Sequence, residues 1–364
     1  MARTVFAIAA RRFHKRLFGE QTSYLRGLIR IARRHHMDGY VFSPLDIDWE
    51  RRRVKAYVPT NGGWKVVQRG FPHVVHDRLW GLGKEKAEKC RLALGRLESE
   101  YGVAVFNPDF GDKLEVHALL AQDPKLALHL PETLPLSADA IERIAEAHRA
   151  LYIKPVRGRQ GKGIVKAERS ESSWKAARRS ESGAAVKRSL KDAAQLVAFA
   201  VDGQPPDEYL VQQDLDLMRR GRSAVDIRAI VQRDIEGRWR VSAIGARVGR
   251  PGGFVSNLHA GGTAMTLQRL VRGLPRAPKA KTLAAMVRVL ALKCAAQMSS
   301  AHPTLGELGL DLGLDRTGKL WIIEVNRQPG RALFSRARLT KSWRTSRIRV
   351  VQYAWYLSKK STDS

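Results

Sequence analysis

Asp311, Glu324 and Asn326 are three oxygen-bearing side chains at a spacing that can bring them together. Glu324 and Asn326 lie two apart in a strand-like stretch, 320–325 and onward, so their side chains share a face. Asp311 lies in the preceding strand-like stretch, 309–314, and a turn over 315–319 folds it back beside Glu324. Two carboxylates and an amide oxygen form a hard-oxygen set suited to Mg²⁺, with positions left for phosphate oxygens and water. The same residues can instead be solvated hairpin positions or a turn cap. Their neighbours Ile322, Ile323 and Val325 weigh against that, because a carboxylate in an apolar strand needs a partner.

A second constellation runs from Ile153 to Ile164. A strand end carries Lys154 and opens into a loop with Gly158, Gln160, Gly161 and Gly163. Glycines let backbone N–H groups fold around phosphate oxygens, and Lys154 can place a fixed charge on an α- or β-phosphate. The loop is not a Walker A motif, since no Gly-Lys-Ser/Thr closes it, and not a dinucleotide fingerprint, since its glycine spacing is different. A basic hairpin turn is the plainer alternative. A third constellation is Asp226-Ile-Arg228 with Arg247, followed by Ser256-Asn257-Leu258-His259-Ala260-Gly261-Gly262. Arginines at strand positions can converge on an anion, and Asn257 beside a glycine pair can complete a phosphate cradle. His259 is a candidate base, although a single loop histidine is more often a surface residue.

The elements that must position these residues divide the chain into four stretches. Residues 1–112 alternate strand and helix signals: strands at 4–10, 39–42, 54–58, 64–68, 74–77 and 103–106, and helices at 23–35 and 85–101. Asn61-Gly62-Gly63 is a hairpin turn in this stretch. The mixture predicts a small open α/β domain. Residues 113–215 begin with a helix at 113–121 and contain strands at 150–153 and 209–213. The polar stretch 168–191 is expected to be a solvated helix and loop on a lid. Residues 216–335 hold strands at 226–233, 239–248, 309–314 and 320–325 and a packed helix at 281–299. Residues 336–364 form a basic tail with a helical stretch at 348–357.

Composition narrows the function. Hydrophobic residues make up 44% of the 364 and charged residues 27%, the profile of a soluble globular chain. No uncharged apolar run approaches the roughly 20 residues that cross a bilayer. The two cysteines, Cys90 and Cys294, lack the spacing of a metal or disulfide framework and predict buried thiols in a reducing cytoplasm. The net charge of +30 favours anionic surroundings. No helix-turn-helix, RNP motif or zinc-finger spacing converts that charge into specific nucleic-acid recognition.

The order of these pieces resembles the ATP-grasp superfamily from about Lys113 to Gly330. Gly111-Asp-Lys113 and Tyr152-Ile-Lys154-Pro155 are similar to the family's two ATP-contacting lysine motifs. Tyr209-Leu-Val-Gln212-Gln213-Asp214 is similar to the hinge that holds adenine and ribose. Asp311, Glu324-Val-Asn326 and Pro329-Gly330 fall on the metal-ligand pattern, with the thirteen-residue step of D-alanine–D-alanine ligases.

His129-Leu-Pro131-Glu-Thr133, Gly245-Ala-Arg247-Val248-Gly249, Ser256-Asn257-Leu258 and Trp321-Ile-Ile-Glu324 resemble the YheC/YheD type, described as endospore-coat-associated. The resemblance implies an α/β (α+β) ATP-grasp fold with an N-terminal pre-ATP-grasp domain. It implies Mg²⁺ on Asp311, Glu324 and Asn326, and ATP on Lys113, Lys154, the glycine loop, Gln212, Gln213 and Asp214. Arg228, Arg247 and Asn257 would hold the transferring phosphoryl group. It implies a carboxylate–amine ligase with small-molecule or peptide substrates, in the cytoplasm of a spore former, with association to an anionic coat or envelope polymer. Two positions depart from relatives. Gln212-Gln213 stand where many carry an acidic residue, and Gly309 stands where D-alanine–D-alanine ligases carry an arginine, which passes that role to Arg228 or Arg247. The alternative is a basic structural coat component whose nucleotide site is regulatory or vestigial.

Overall fold

The structure, a computed structural model, describes residues 3–13, 17–158, 162–171, 173–179, 185–253, 256, 258 and 261–360. The first unit contains β1 (Val5–Ala9), α1 (Thr22–Arg34), β2 (Asp38–Asp48), β3 (Arg53–Pro59), β4 (Trp64–Gly70), β5 (Val74–Asp77), α2 (Lys84–Tyr101) and β6 (Ala104–Phe106). The strands form one sheet in the order β4-β3-β2-β1-β5-β6. Strand β1 pairs in parallel with β2 and β5 and is covered on both faces. Phe6 and Ile8 pack on Leu25, Leu28 and Ile29 of α1, whereas Ala7 and Ala9 share a core with Cys90, Leu94 and Leu97 of α2. This two-sided burial explains an apolar run without polar alternation. The strand expected at 39–42 continues to Asp48.

The second unit contains α3 (Lys113–Ala121), α4 (Pro124–Ala127), β7 (Thr133–Pro135), α5 (Ala138–Ala147), β8 (Ala150–Pro155), β9 (Val165–Ser170), β10 (Ser173–Arg179), β11 (Ala185–Leu190), α6 (Ala193–Val201) and β12 (Tyr209–Gln213). Helix α3 starts at a capping box: the Asp112 side chain accepts from Leu114 and Glu115 backbone N–H groups, and Glu115 accepts from the Asp112 backbone N–H. The sheet order is β11-β10-β9-β8-β12-β7. The helix expected in 168–191 is not formed: β9, β10 and β11 are successive antiparallel strands. Trp174 and Ala176 are buried in one core with Leu196, while Lys175 between them is exposed. That period of two, rather than the Arg, Lys and Ser composition, decides the structure.

The third unit contains β13 (Arg219–Arg220), β14 (Ser223–Arg233), β15 (Trp239–Pro251), β16 (Thr263–Met265), α7 (Leu267–Val271), α8 (Ala280–Ala301), β17 (Glu307–Leu314), β18 (Leu320–Asn326), α9 (Ala332–Arg336) and α10 (Thr340–Lys360). Its main path is β16-β15-β14-β17-β18. Helix α8 is long and apolar enough to cross a membrane by length and composition. Here its Leu283, Val287, Leu290, Cys294 and Met298 bury against Leu308, Leu310 and Leu312 of β17. Burial pushes the Cys90 thiol up to about 11 and Cys294 up to about 12, leaving both unreactive.

The stretch after residue 336 is more than an appended tail. Val350, Val351, Tyr353 and Ala354 of α10 lie in the same core as Phe6, Ile8 and Leu25 of the first unit. The last long helix therefore closes the first sheet.

Candidate functional site

The site begins with strand register. Arg228 of β14 stands opposite Asp311 of β17, and Asp311 stands opposite Glu324 of β18. Three polar residues thus form a row across the sheet, on the face away from the leucines that meet α8. Asn326 is two residues beyond Glu324 and opposes Gly309. A Cβ on Gly309 would come within 2.6 Å of Pro329 Cβ, so this backbone has no room for the arginine that some relatives carry there.

Arg228 donates to both Asp311 oxygens, Nη2 to Oδ2 at 2.6 Å and Nε to Oδ1. Arg247 of β15 donates from Nε and Nη2 to the two Asp226 oxygens, each at 2.6 Å. Arg247 Nη2 also lies 2.9 Å from Asp311 Oδ2. Ser256 donates its hydroxyl proton to Asp226. Burial alone would raise the Asp311 pKa, but the Arg228 and Arg247 charges hold it down at about 2. Arg247 is correspondingly held above its usual range: its own burial opposes the charge, and Asp311 and Asp226 overcome that.

The two sequence-predicted lysines face this row. Lys154 Nζ donates to Gln212 Oε1 at 2.5 Å, and Gln212 Nε2 donates to Thr133 Oγ1 at 2.8 Å. Burial lowers the Lys154 pKa to about 8; Glu324 opposes that shift and Lys113 adds to it. Lys113 Nζ lies 3.7 Å from Glu324 Oε1. It also donates to the carbonyls of Pro155, Val156 and Gly158, at 3.1, 3.4 and 3.2 Å. Lys113 thus ties helix α3 to the start of the glycine loop as well as facing the carboxylate. Gly163 has φ of 70°, a conformation that favours glycine. Gln213 Oε1 accepts from the Glu132 backbone N–H at 2.7 Å, and Asp214 lies 2.8 Å from Lys166 Nζ of β9. Gln160, Gly161, Asn257 and His259 lie outside the described residues.

The family described as YheC/D like ATP-grasp matches residues 102–357. The chain belongs to this ATP-grasp family. Endospore coat-associated protein YheD of Bacillus subtilis (strain 168) is 28% identical over 358 residues, covering 96% of this chain and 77% of the relative. YheC of the same organism is 23% identical over 295 residues, covering 80% of each. Among solved structures, the VanG D-Ala:D-Ser ligase from Enterococcus faecalis matches with a TM-score of 0.56 at 14% identity, covering 98% of this chain and 100% of that one. ATP-grasp ligase PsnB complexed with a minimal precursor matches at 0.54 and 15% identity, covering 97% and 100%. These likenesses establish the ATP-grasp fold.

An ATP-grasp chain is expected to bind Mg-ATP, and the donor set can be tested against that. Among the described residues, no group of three or more His, Cys, Asp and Glu side chains could hold a metal ion. The set works only with the amide of Asn326, whose Nδ2 lies 3.5 Å from Glu324 Oε2. Glu324 is partly open, with 28% of its side chain exposed. Asp311 is engaged differently from the sequence expectation, since three donors from two arginines already occupy its oxygens. A carboxylate offers about four acceptor positions, so Asp311 keeps about one for a cation. The residues therefore fit a hard cation held mainly by Glu324 and Asn326, with Asp311 shared between it and the arginines.

Several supporting residues in this ATP-grasp site had no sequence signal. Arg327 crosses to the first unit, donating to Asp77 Oδ2 and the Asn107 carbonyl at 2.9 Å and to the Leu79 carbonyl at 2.8 Å. Gln328 Nε2 donates to the Leu79 carbonyl at 2.8 Å. These bonds pin the chain just beyond Asn326. Thr133 entered only as part of a resemblance motif and Lys166 not at all, because their partners Gln212 and Asp214 are distant in sequence.

Proposed function

We propose that this chain is a Mg-ATP-dependent carboxylate–amine ligase acting through an acyl phosphate, in association with the spore coat or envelope. The observation that carries the reading is the placement of Lys154 and Lys113 on one side of Glu324 and the doubly braced Arg228–Asp311–Arg247 group on the other. The names of structural neighbours support it: one is a D-Ala:D-Ser ligase and another a ligase complexed with a precursor. The names of the two Bacillus relatives support coat association.

In this reading a substrate carboxylate oxygen attacks the γ-phosphorus, the bond to the β-phosphate oxygen breaks, and ADP leaves. An amine nitrogen then attacks the acyl carbon, phosphate leaves with the acyl C–O bond electrons, and the amine proton passes to solvent. A bound Mg²⁺ supplies charge neutralisation on the phosphates. Lys154, fixed by Gln212, holds a phosphate oxygen, and Lys113 holds both the loop carbonyls and the carboxylate wall. Asp311 and Asp226 hold the Nε–Nη2 edges of Arg228 and Arg247, so the Nη1 donors are those offered to the transferring phosphoryl group. The protein's contribution is positioning and charge.

The test is ATP-dependent ADP release, screened against pooled carboxylates and amines. Turnover with one pair, lost in Lys154→Met, supports the ligase. A second reading, a basic structural coat component with a regulatory nucleotide site, is favoured by the net charge of +30. Tight Mg-ATP binding with no turnover across all pools would select it.

A further inference from the structure

Helices α1 and α10 pack side by side, and neither contains an Asp or Glu. Between them runs a groove of about 450 Å³, lined in part by Gly27, Arg30, Arg34, Trp343, Arg344 and Arg347. Arg30, Arg34 and Arg344 are exposed, and none of the groove's four arginines has an ion-pair partner among the described residues. An unpaired cluster of this size is an unusual local excess of charge, because like charges within a Debye length repel.

Two further observations show that the groove is built rather than merely basic. Arg347 reaches back across α1 into a slot at Gly27, where a Cβ would lie 1.2 Å from Nη2. Its guanidinium also lies over the Trp343 ring, 4.5 Å from the centroid. Second, Arg347 Nε is buried and has no hydrogen-bond partner among the described residues. A buried donor without a partner carries a desolvation cost that an incoming acceptor relieves. Burial, together with the Arg331 and Arg30 charges, pushes the Arg347 pKa below its usual range, although Tyr24 opposes this. An added anion reverses that direction.

We infer that the α1–α10 groove is a binding site for a phosphate-bearing ligand, separate from the Asp311–Glu324 row. Phosphate is favoured over a carboxylate by the number of guanidiniums. Each offers a planar fork that fits phosphate oxygens, and a phosphate monoester carries up to two negative charges against one. Ile31 and Ile348 beside the arginines add an apolar wall for the organic part of a phosphate ester. The groove volume falls in the range of small-molecule sites, roughly 300–1,000 Å³. The shared chemistry belongs equally to a soluble phosphate ester and to the end of a phosphate-containing polymer.

The test uses the full chain at physiological ionic strength without added nucleotide, so that no other phosphate ester competes for the groove. Tripolyphosphate is titrated calorimetrically into wild type, Arg30→Gln/Arg344→Gln, Gly27→Ala and Lys154→Met. The groove predicts a tripolyphosphate binding event that is weakened about tenfold or more by the double arginine substitution and retained in Lys154→Met, where the nucleotide site is weakened. Gly27→Ala should weaken it by displacing Arg347; if that variant unfolds, the exposed double variant carries the test with its melting temperature as control. Glycerol phosphate and a poly(glycerol phosphate) chain distinguish the two sources, since only the polymer arm should gain affinity with length. Binding unaffected in the double variant overturns the assignment. So does equal affinity for poly-glutamate of matched charge, which makes the groove a surface for acidic protein, or tighter binding of duplex DNA.

Discussion

Arg228 grips Asp311 through both carboxylate oxygens from the directly opposed position on the neighbouring strand. Arg247 reaches the same carboxylate from one strand further, so Asp311 holds Arg228 and shares Arg247 with Asp226. Asp311 is therefore a brace for the arginines, whereas Glu324 is partly open. Replacing Asp311 with Ala leaves the largely enclosed Arg228 guanidinium without its counter-charge and should cost about 3–5 kcal/mol of folding stability. Replacing Glu324 with Ala should leave the melting temperature nearly unchanged while weakening Mg-ATP binding. Chemical denaturation and calorimetry on both variants check the contrast. Equal stability loss in the two, or wild-type Mg-ATP affinity in Glu324→Ala, removes the division of labour.

Lys154 gives a pH signature. Its folded pKa is lowered from 10.5 to about 8, chiefly by burial. Between those values the unfolded chain binds more protons, so this residue makes folding stability rise with pH across the window. Phosphate binding requires the charged form, so Mg-ATP affinity should fall as pH rises through about 8. Stability and affinity thus move in opposite directions in one interval. Lys154→Met should abolish both trends and weaken Mg-ATP by roughly 1.5–3 kcal/mol, the size of a charge-assisted contact. Parallel titrations of melting temperature and affinity in both proteins are the measurement.

Glu307 makes a second buried ionic cluster, on the same strand as Asp311. It accepts from Gln232 Nε2 at 3.0 Å and Arg78 Nη1 at 3.2 Å and bonds to Arg331, with His76 Nε2 3.5 Å away. Burial would raise the Glu307 pKa, but Arg331, His76 and Arg78 hold it down to about 2. Burial also lowers His76 to about 4 from 6.5. Both shifts act in one direction. His76 makes stability fall as pH drops from 6.5 to about 4, and Glu307 makes it fall from 4.5 to about 2. Glu307→Gln should lower stability by about 3–5 kcal/mol at neutral pH, because Arg78 and Arg331 lose their buried counter-charge. It should also flatten the lower part of the acid profile. An unchanged profile below pH 4.5 in that variant is incompatible with this account.

The hairpin of β17 and β18 was legible because its signals are local: alternate residues share a face, and the turn at Asp315–Lys319 sets which ones meet. The expected Asp311–Glu324 pairing is the observed register. Lys113 and Lys154 were legible by motif resemblance, but the loop carbonyls that Lys113 binds were not, since they depend on how α3 meets β8. Arg327 pins β18 to Asp77 across the boundary between units, a contact that no periodicity encodes. Strand β10 was hidden by composition: exposed Arg, Lys and Ser conceal an alternation carried by Trp174 and Ala176. Helix α10 looked like a tail because its basic residues dominate its sequence, while Val350, Val351 and Tyr353 do the packing.

That packing changes how adhesion by the basic surface must be tested. We propose that net charge anchors the protein to an anionic coat or envelope layer, independently of the nucleotide site. The motivation is +30 over the whole chain, with Arg336, Arg338 and Lys341 exposed close together near α10. Cutting the chain after Ala332 would remove α10 from the first unit's core, so lost adhesion there would report unfolding. Charge removal on the surface avoids this. Arg336→Gln/Arg338→Gln/Lys341→Gln should fold normally and associate several-fold less with an isolated coat fraction. Exposed charges are screened beyond about 8 Å at physiological ionic strength, so wild-type association should fall steeply across a salt series. Mg-ATP affinity should fall less, because Asp311 is buried and Lys154 is half-buried. Coat association that is insensitive both to salt and to the triple substitution would mean that a specific partner surface, not electrostatic adhesion, holds the protein to the coat.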